Sequence, residues 1–110
     1  MNAINETKIS VGEFSKTPYG RYEKDGKYNA AAFRDSKLVP ALNDPTIRKV
    51  NVYLDTVEEG YEYGSSFLEE AFGGLVRKCG FSAEDVNKKL NIITKHKDYL
   101  LEINEYLEQN

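Results

Sequence analysis

The stretch Lys49-Val50-Asn51-Val52-Tyr53-Leu54-Asp55, followed after a loop by Ser65-Ser66-Phe67-Leu68-Glu69-Glu70-Ala71-Phe72-Gly73-Gly74-Leu75-Val76-Arg77, decides the fold. In the first part Val50, Val52 and Leu54 fall on one face, the alternation of a half-buried strand. Thr56 to Gly64 is an acidic loop containing glycine and tyrosine. Beyond it, Phe67, Leu68, Ala71, Phe72, Leu75, Val76 and Cys79 recur at helical spacing, and Gly80 supplies a stop. Ser66 with Glu69 three residues later has the form of a capping box. A strand, a loop and an amphipathic helix therefore follow one another, which is one half of a β-α-β unit.

Working outward, Lys8-Ile9-Ser10-Val11 alternates and predicts a first strand continuing toward Phe14. Ser15 to Asn29 is rich in turn formers, and Asp25-Gly26 between Arg21-Tyr22 and Tyr28 is compatible with a small hairpin or with an ordered loop. Asn29 is placed to cap a helix running through Ala30-Ala31-Ala32-Phe33 to Leu38 or Leu42, with Pro40 ending or kinking it. Asn43-Asp44-Pro45 is a turn. Downstream, Ser82 caps a short helix to Leu90, with Phe81 and Val86 placed as a staple and Asp85 at the third helical position. Asn91-Ile92-Ile93-Thr94 reads as a short buried strand. Tyr99, Leu100, Ile103, Tyr106 and Leu107 give a closing amphipathic helix. Strands alternating with helices long enough for crossovers predict an α/β domain with a small, mostly parallel sheet and a C-terminal helix.

The chain has 110 residues, the size of one domain, and residues 1–110 are read as a single unit. With 40% hydrophobic and 30% charged residues it has the composition of a globular protein. A net charge of −3 disfavours a general nucleic-acid or anionic-membrane binder. No apolar run approaches the roughly 18 residues of a membrane span, and the polar start Met1-Asn2-Ala3-Ile4-Asn5-Glu6 lacks the character of a signal peptide. Cys79 is the single cysteine and His96 the single histidine. An internal disulfide and a Cys/His zinc site are thereby excluded, and a reducing cytoplasm fits. No metal or cofactor is expected. His96 lies in the polar run Lys95-His96-Lys97, the solvated start of the last helix.

Three features bear on function. Ligands of open α/β sheets tend to bind beyond the carboxyl ends of the strands, and a helix N-terminus favours an anion. Ser65-Ser66 at such a start is thus either a phosphate-accepting position or an ordinary cap; Glu69 and Glu70, read as first-turn residues, would repel a phosphate. Gly73-Gly74 inside the helix costs about 1–2 kcal/mol relative to alanine, so it requires either close packing or a flat surface for a partner. Arg21, Asp25 and Arg34 form either a polar pocket in which two guanidiniums hold an anion, or separate contacts in which Arg34 pairs with an acidic neighbour and Asp25 serves its turn. Tyr19, Tyr22, Tyr28, Tyr61 and Tyr63 in the two loops are binding-surface residues or loop anchors.

The segment Leu54-Asp55 followed by Gly64 through Arg77 resembles the signature of the bacterial STAS-like domains of unknown function. Gly20-Arg21, Asp25-Gly26 and Phe33-Arg34 also follow that pattern, so the resemblance spans Ile9 to Thr94. These domains are similar in turn to anti-sigma-factor antagonists, in which a serine pair at the same helix start carries the phosphorylatable serine. Aligned on that pair, Ser66 corresponds to the acceptor and Ser65 to its neighbour, with Phe67 where the antagonists have glycine. The resemblance implies a cytoplasmic regulatory module that binds a protein partner, a histidine-kinase-like ATPase being the expected kind. The expected partner- or ligand-binding residues are Arg21, Asp25, Arg34, Asp55, Gly64, Ser65, Ser66 and Phe67. A small phosphotransfer or ligand-processing enzyme using Asp55, Arg21 and Arg34, and an acidic inhibitor of a basic partner, are the competing expectations. No activated nucleophile–base pair is visible, so the chain is not expected to be an enzyme.

Overall fold

Three parallel strands carry the architecture: β1 (Glu6–Ser10), β2 (Lys49–Tyr53) and β3 (Leu90–Ile93), in the spatial order β1-β2-β3. The structure, a computed structural model, describes residues 5–110; the first four residues of the polar start lie outside the described residues. Register aligns Thr7 with Val50 and Leu90, and Ile9 with Val52 and Ile92. Because side chains alternate along a strand, these six share one face. The opposite face carries Lys8, Asn51 and Asn91 in one row, and there the Asn91 amide donates to the Asn51 oxygen (2.9 Å) and the Asn51 amide to Glu6 (2.8 Å). The first face is thus apolar, and the second is polar at its centre, with Tyr53 and Ile93 in the next row and Asn51 buried.

The helices supply the second layer. A one-turn helix α1 (Val11–Phe14) follows β1 directly, and α2 (30–43) links β1 to β2. Helix α3 (65–77) and α4 (Ala83–Lys89) link β2 to β3, and α5 (Lys97–Gln109) closes the chain. Ile9, Val50 and Val52 share one core with Phe33 and Leu38 of α2, with Phe67, Leu68, Phe72 and Leu75 of α3, and with Ile103 and Leu107 of α5. Each fully buried phenylalanine or leucine is worth about 1.5–3 kcal/mol, so α3, with the largest share, is fixed as a rigid central element. Among the described residues, no helix is long and apolar enough to cross a membrane.

One expectation is corrected, and two open ones are decided. The first strand ends at Ser10, and the chain turns into α1, because Gly12 packs on the end of β2: its N–H donates to Thr56 Oγ1 (2.8 Å), and a Cβ there would lie 2.0 Å from the Thr56 carbonyl oxygen. Of the two forms open to Arg21 to Tyr28, the ordered loop is the one observed, with a 3₁₀ turn at Glu23–Asp25. Of the two ends open to α2 the later is observed: the helix runs through Pro40, which follows a π-helical segment at Arg34–Leu38 whose wider turn accommodates the ring. Asn29 and Ser82 cap their helices as expected, accepting from the Ala32 and Asp85 N–H groups.

Gly12→Ala should lower the urea midpoint of unfolding by the equivalent of about 1–3 kcal/mol, the usual cost of overpacking. An unchanged midpoint would show that the β1–β2 ends tolerate separation.

Candidate functional site

The site is built where α2, α3 and the loop before α2 converge. Gly20 adopts φ +82°, open to glycine, and a Cβ there would lie 2.3 Å from the Asp25 Cβ. The Asp25 carboxylate accepts from the N–H groups of Arg21 (3.0 Å) and Tyr22 (3.3 Å), which closes the loop. The carbonyls of Gly20 and Arg21 then receive the N–H groups of Ala30 and Ala31, so the loop satisfies the first turn of α2. These bonds fix the backbone of Arg21 and leave its side chain to reach α3.

At the centre lies Glu70, fully buried on a π-helical segment of α3 at Glu69–Gly73. Its Oε2 accepts from Arg34 Nη1 (2.7 Å) and Lys78 Nζ (3.0 Å). Its Oε1 accepts from the Tyr22 hydroxyl (2.9 Å), from Arg77 Nη2 (3.0 Å) and, more distantly, from Arg21 Nη1 (3.5 Å). Arg34 Nη1 also donates to the Glu70 backbone carbonyl (3.1 Å), while the Gly74 N–H is drawn back to Glu69 by the π turn. Arg34 is itself on a π-helical segment and is held from its other edge by Asp35 (2.8 Å). Glu69 pairs with Arg21 and Arg77. Desolvation acts to raise the Glu70 pKa, but hydrogen bonds from Lys78, Arg34 and Tyr22 outweigh it and hold the pKa at about 2.

The interior glycines are explained by close packing. A Cβ on Gly74 would lie 2.5 Å from Arg34 Nη1, and one on Gly73 would lie 2.9 Å from both Glu69 and Asn110. The surfaces approached are a buried guanidinium and the end of α5. Among the described residues no group of three or more His, Cys, Asp and Glu is placed to hold a metal ion.

Beside this network opens a cleft of about 320 Å³, lined by Tyr19, Arg21, Lys24, Tyr61, Ser66 and Phe67, together with Gly64 and Asp25. It therefore unites five of the residues expected from the sequence: Arg21, Asp25, Gly64, Ser66 and Phe67. Ser65 and Ser66 are both exposed, but of the two Ser66 lines the cleft. Neither caps α3. Gly64 occupies the N-cap, no side chain caps the helix, and Glu69 is spent on arginines, so the expected capping box is absent. Glu69 and Glu70 also lie beyond the first turn with their charges met by cations.

The other expected residues lie elsewhere. Arg34 is only 5% exposed and binds Glu70 instead of opening to a ligand; Phe67 contributes an edge to the cleft but is otherwise core. Asp55 accepts from the Thr94 hydroxyl (2.6 Å) and the Lys95 N–H (2.7 Å), tying β2 to β3, and lines a separate cleft with Glu58, Glu59 and His96. The trio Arg21, Arg34 and Asp55 is thus not assembled. Of the loop tyrosines, Tyr63 is buried and donates to the Leu54 carbonyl (2.6 Å), and Tyr61 donates to the Pro18 carbonyl, whereas Tyr19, Tyr22 and Tyr28 are exposed. The sequence reading missed Glu70 as the hub, with Arg77 and Lys78 as its partners. The spacing from Glu70 to Arg77, two helical turns, was the available signal.

Because the folded pKa of Glu70 is depressed, its contribution to stability is complete above the unfolded value of about 4.3 and is lost as pH falls toward 2. Carboxyl ¹³C NMR should find Glu70 still mostly ionised at pH 3, with urea stability falling between about pH 4.5 and 2. A Glu70 midpoint near 4 would contradict the geometry.

A family model described as a STAS-like domain of unknown function (DUF4325) matches residues 29–99. The matched span takes in α2, β2, α3 and β3 with Arg34, Ser66, Glu70 and Arg77, and leaves out the loop carrying Arg21 and Asp25. No curated protein and no solved structure matches the chain. The parallel three-stranded sheet with its helical layer, and a family match over more than half the length, establish that the chain belongs to the STAS-like domains of unknown function.

Proposed function

We propose that this protein is a regulatory module that acts by binding another protein, with the cleft beside Ser66 as its contact surface. The observation that carries this reading is the position of Ser66: exposed at the uncapped start of α3, on the rim of an open cleft with exposed Tyr19 and Tyr22 beside it. Tyrosines offer rigid contact area with a polar tip, and the ion network behind them holds the surface in one shape. Action by binding, in place of turnover, is supported by the internal commitments of Arg34 and Asp55.

The finer reading is a partner switch in which Ser66 is the phosphoacceptor and Ser65 its neighbour. Cleft-side placement favours Ser66, since Ser65 does not line the cleft. The expected partner, a histidine-kinase-like ATPase in a cytoplasmic setting, rests on the resemblance to the anti-sigma-factor antagonists. In phosphorylation the Ser66 hydroxyl oxygen would attack the γ-phosphorus of ATP, ADP would leave, and the hydroxyl proton would pass to a base on the partner. The added charge would then sit at the contact surface and weaken association.

The test is affinity capture from cells that express the protein, with dissociation constants measured for the partner recovered. Ser66 is no cap, so Ser66→Ala should keep stability within about 0.5 kcal/mol and retain the partner. Ser66→Asp should bind at least tenfold more weakly. Unchanged affinity of a folded Ser66→Asp variant would remove Ser66 from the switch.

A further inference from the structure

We infer that the cleft receives an acidic side chain of the protein partner, and that Arg21 binds it by exchanging Glu69 for the incoming carboxylate. This deepens the protein-binding reading and rests on it. Arg21, Arg34, Arg77 and Lys78 converge on Glu69 and Glu70, with Asp35 as the third acid, so the network holds one more cation than it has carboxylates. The four cations are not equally bound. Arg34 is buried against both the carboxylate and the carbonyl of Glu70. Arg77 bonds both carboxylates and also Asn110. Lys78 is shared by Glu70 and Tyr22. Arg21 alone of the four lines the cleft, with 38% of its side chain exposed. When it swings away, Glu69 keeps Arg77, and Glu70 keeps Arg34, Arg77, Lys78 and Tyr22. No carboxylate is left unpaired.

The cleft itself is arranged for an acid. Lys24 lines it and makes no ion pair among the described residues. Its one carboxylate, Asp25, is occupied by the N–H groups of Arg21 and Tyr22, so it pins the Arg21 backbone while the guanidinium moves. Guanidinium and carboxylate match in a planar, bidentate geometry. The walls are the flat rings of Tyr19, Tyr61 and Phe67, which suit an apolar residue next to the acid. Ser66 shares the cleft, so a negative group placed on it would compete for Arg21 and repel the partner's carboxylate. The switch and the recognition thus use the same cation.

The test is an NMR titration of the ¹⁵N-labelled full chain with the end-blocked pentapeptide Ser-Phe-Glu-Glu-Ser, its Gln-Gln counterpart and inorganic phosphate. The Arg21 Nε and the amides of Tyr19 and Ser66 should shift and saturate with the acidic peptide. The Gln-Gln peptide should bind at least tenfold more weakly, and Arg21→Gln and Lys24→Gln should each weaken the acidic peptide severalfold while melting close to the parent. Equal binding of the two peptides, an unaffected Arg21→Gln variant, or saturation by phosphate without a peptide response would overturn the inference. So would the absence of saturable binding. Partner capture separates the two readings. A partner lost by Ser66→Asp but retained by Arg21→Gln would leave the protein-binding reading standing and sink the carboxylate exchange. Saturable acidic-peptide binding that Ser66→Asp and the captured partner leave unaffected would sink the switch alone.

Discussion

A carboxylate with no exposure to water must be surrounded by donors or lose its charge, and most of what is distinctive here follows from keeping Glu70 ionised. The donors come from the loop before α2, from α2 itself and from the end of α3. Because Arg34 must approach the α3 backbone closely, position 74 is glycine. Because both helices meet at their π-helical segments, each is locally widened where Arg34 and Glu70 touch. Such segments are frequent at functional sites. Here they serve an internal ion pair whose consequence is the fixed placement of the α3 start.

That placement has two sides. Toward the core, Phe67, Leu68 and Phe72 lock the helix onto the sheet and against α5. Toward solvent, the same turn presents Ser66 to a cleft whose other wall is the loop held by Asp25. The proposed switch relies on both features, since a charge added at a mobile helix start would change little in what a partner meets. The network joins the two sides through Arg21, the member that belongs to both.

Much of the fold was readable because local signals and long-range packing agreed. The alternation of β2, the caps at Asn29 and Ser82, and the apolar stripe of α3 each describe an element whose buried face is its apolar face. Where they diverged, the cause was a tertiary contact. Gly12 pressed against Thr56 turned the end of the first strand into α1, and Asp25 folded its loop around Gly20, which decided between the two forms open to that segment. Ser66 and Glu69 have cap spacing, but the arginines outcompeted the serine N–H for Glu69. Of the eight residues named from the sequence, Arg21, Asp25, Gly64, Ser66 and Phe67 line one cleft, whereas Arg34, Asp55 and Ser65 do not. Glu70 was not legible, because its burial depends on Arg34 and Arg21, which lie 36 and 49 residues away.

The central claim, that Arg34 and Glu70 depend on one another, is tested most directly by a double-mutant cycle on the stability of Arg34→Met, Glu70→Gln and the double variant. Each single change should cost about 1.5–3 kcal/mol, because it removes the shortest partner of a buried charge that other groups still hold. The double variant should cost less than their sum by about 1–3 kcal/mol. Additivity within about 0.5 kcal/mol would contradict the account and reduce Glu70 to one charge among several on the α3 surface.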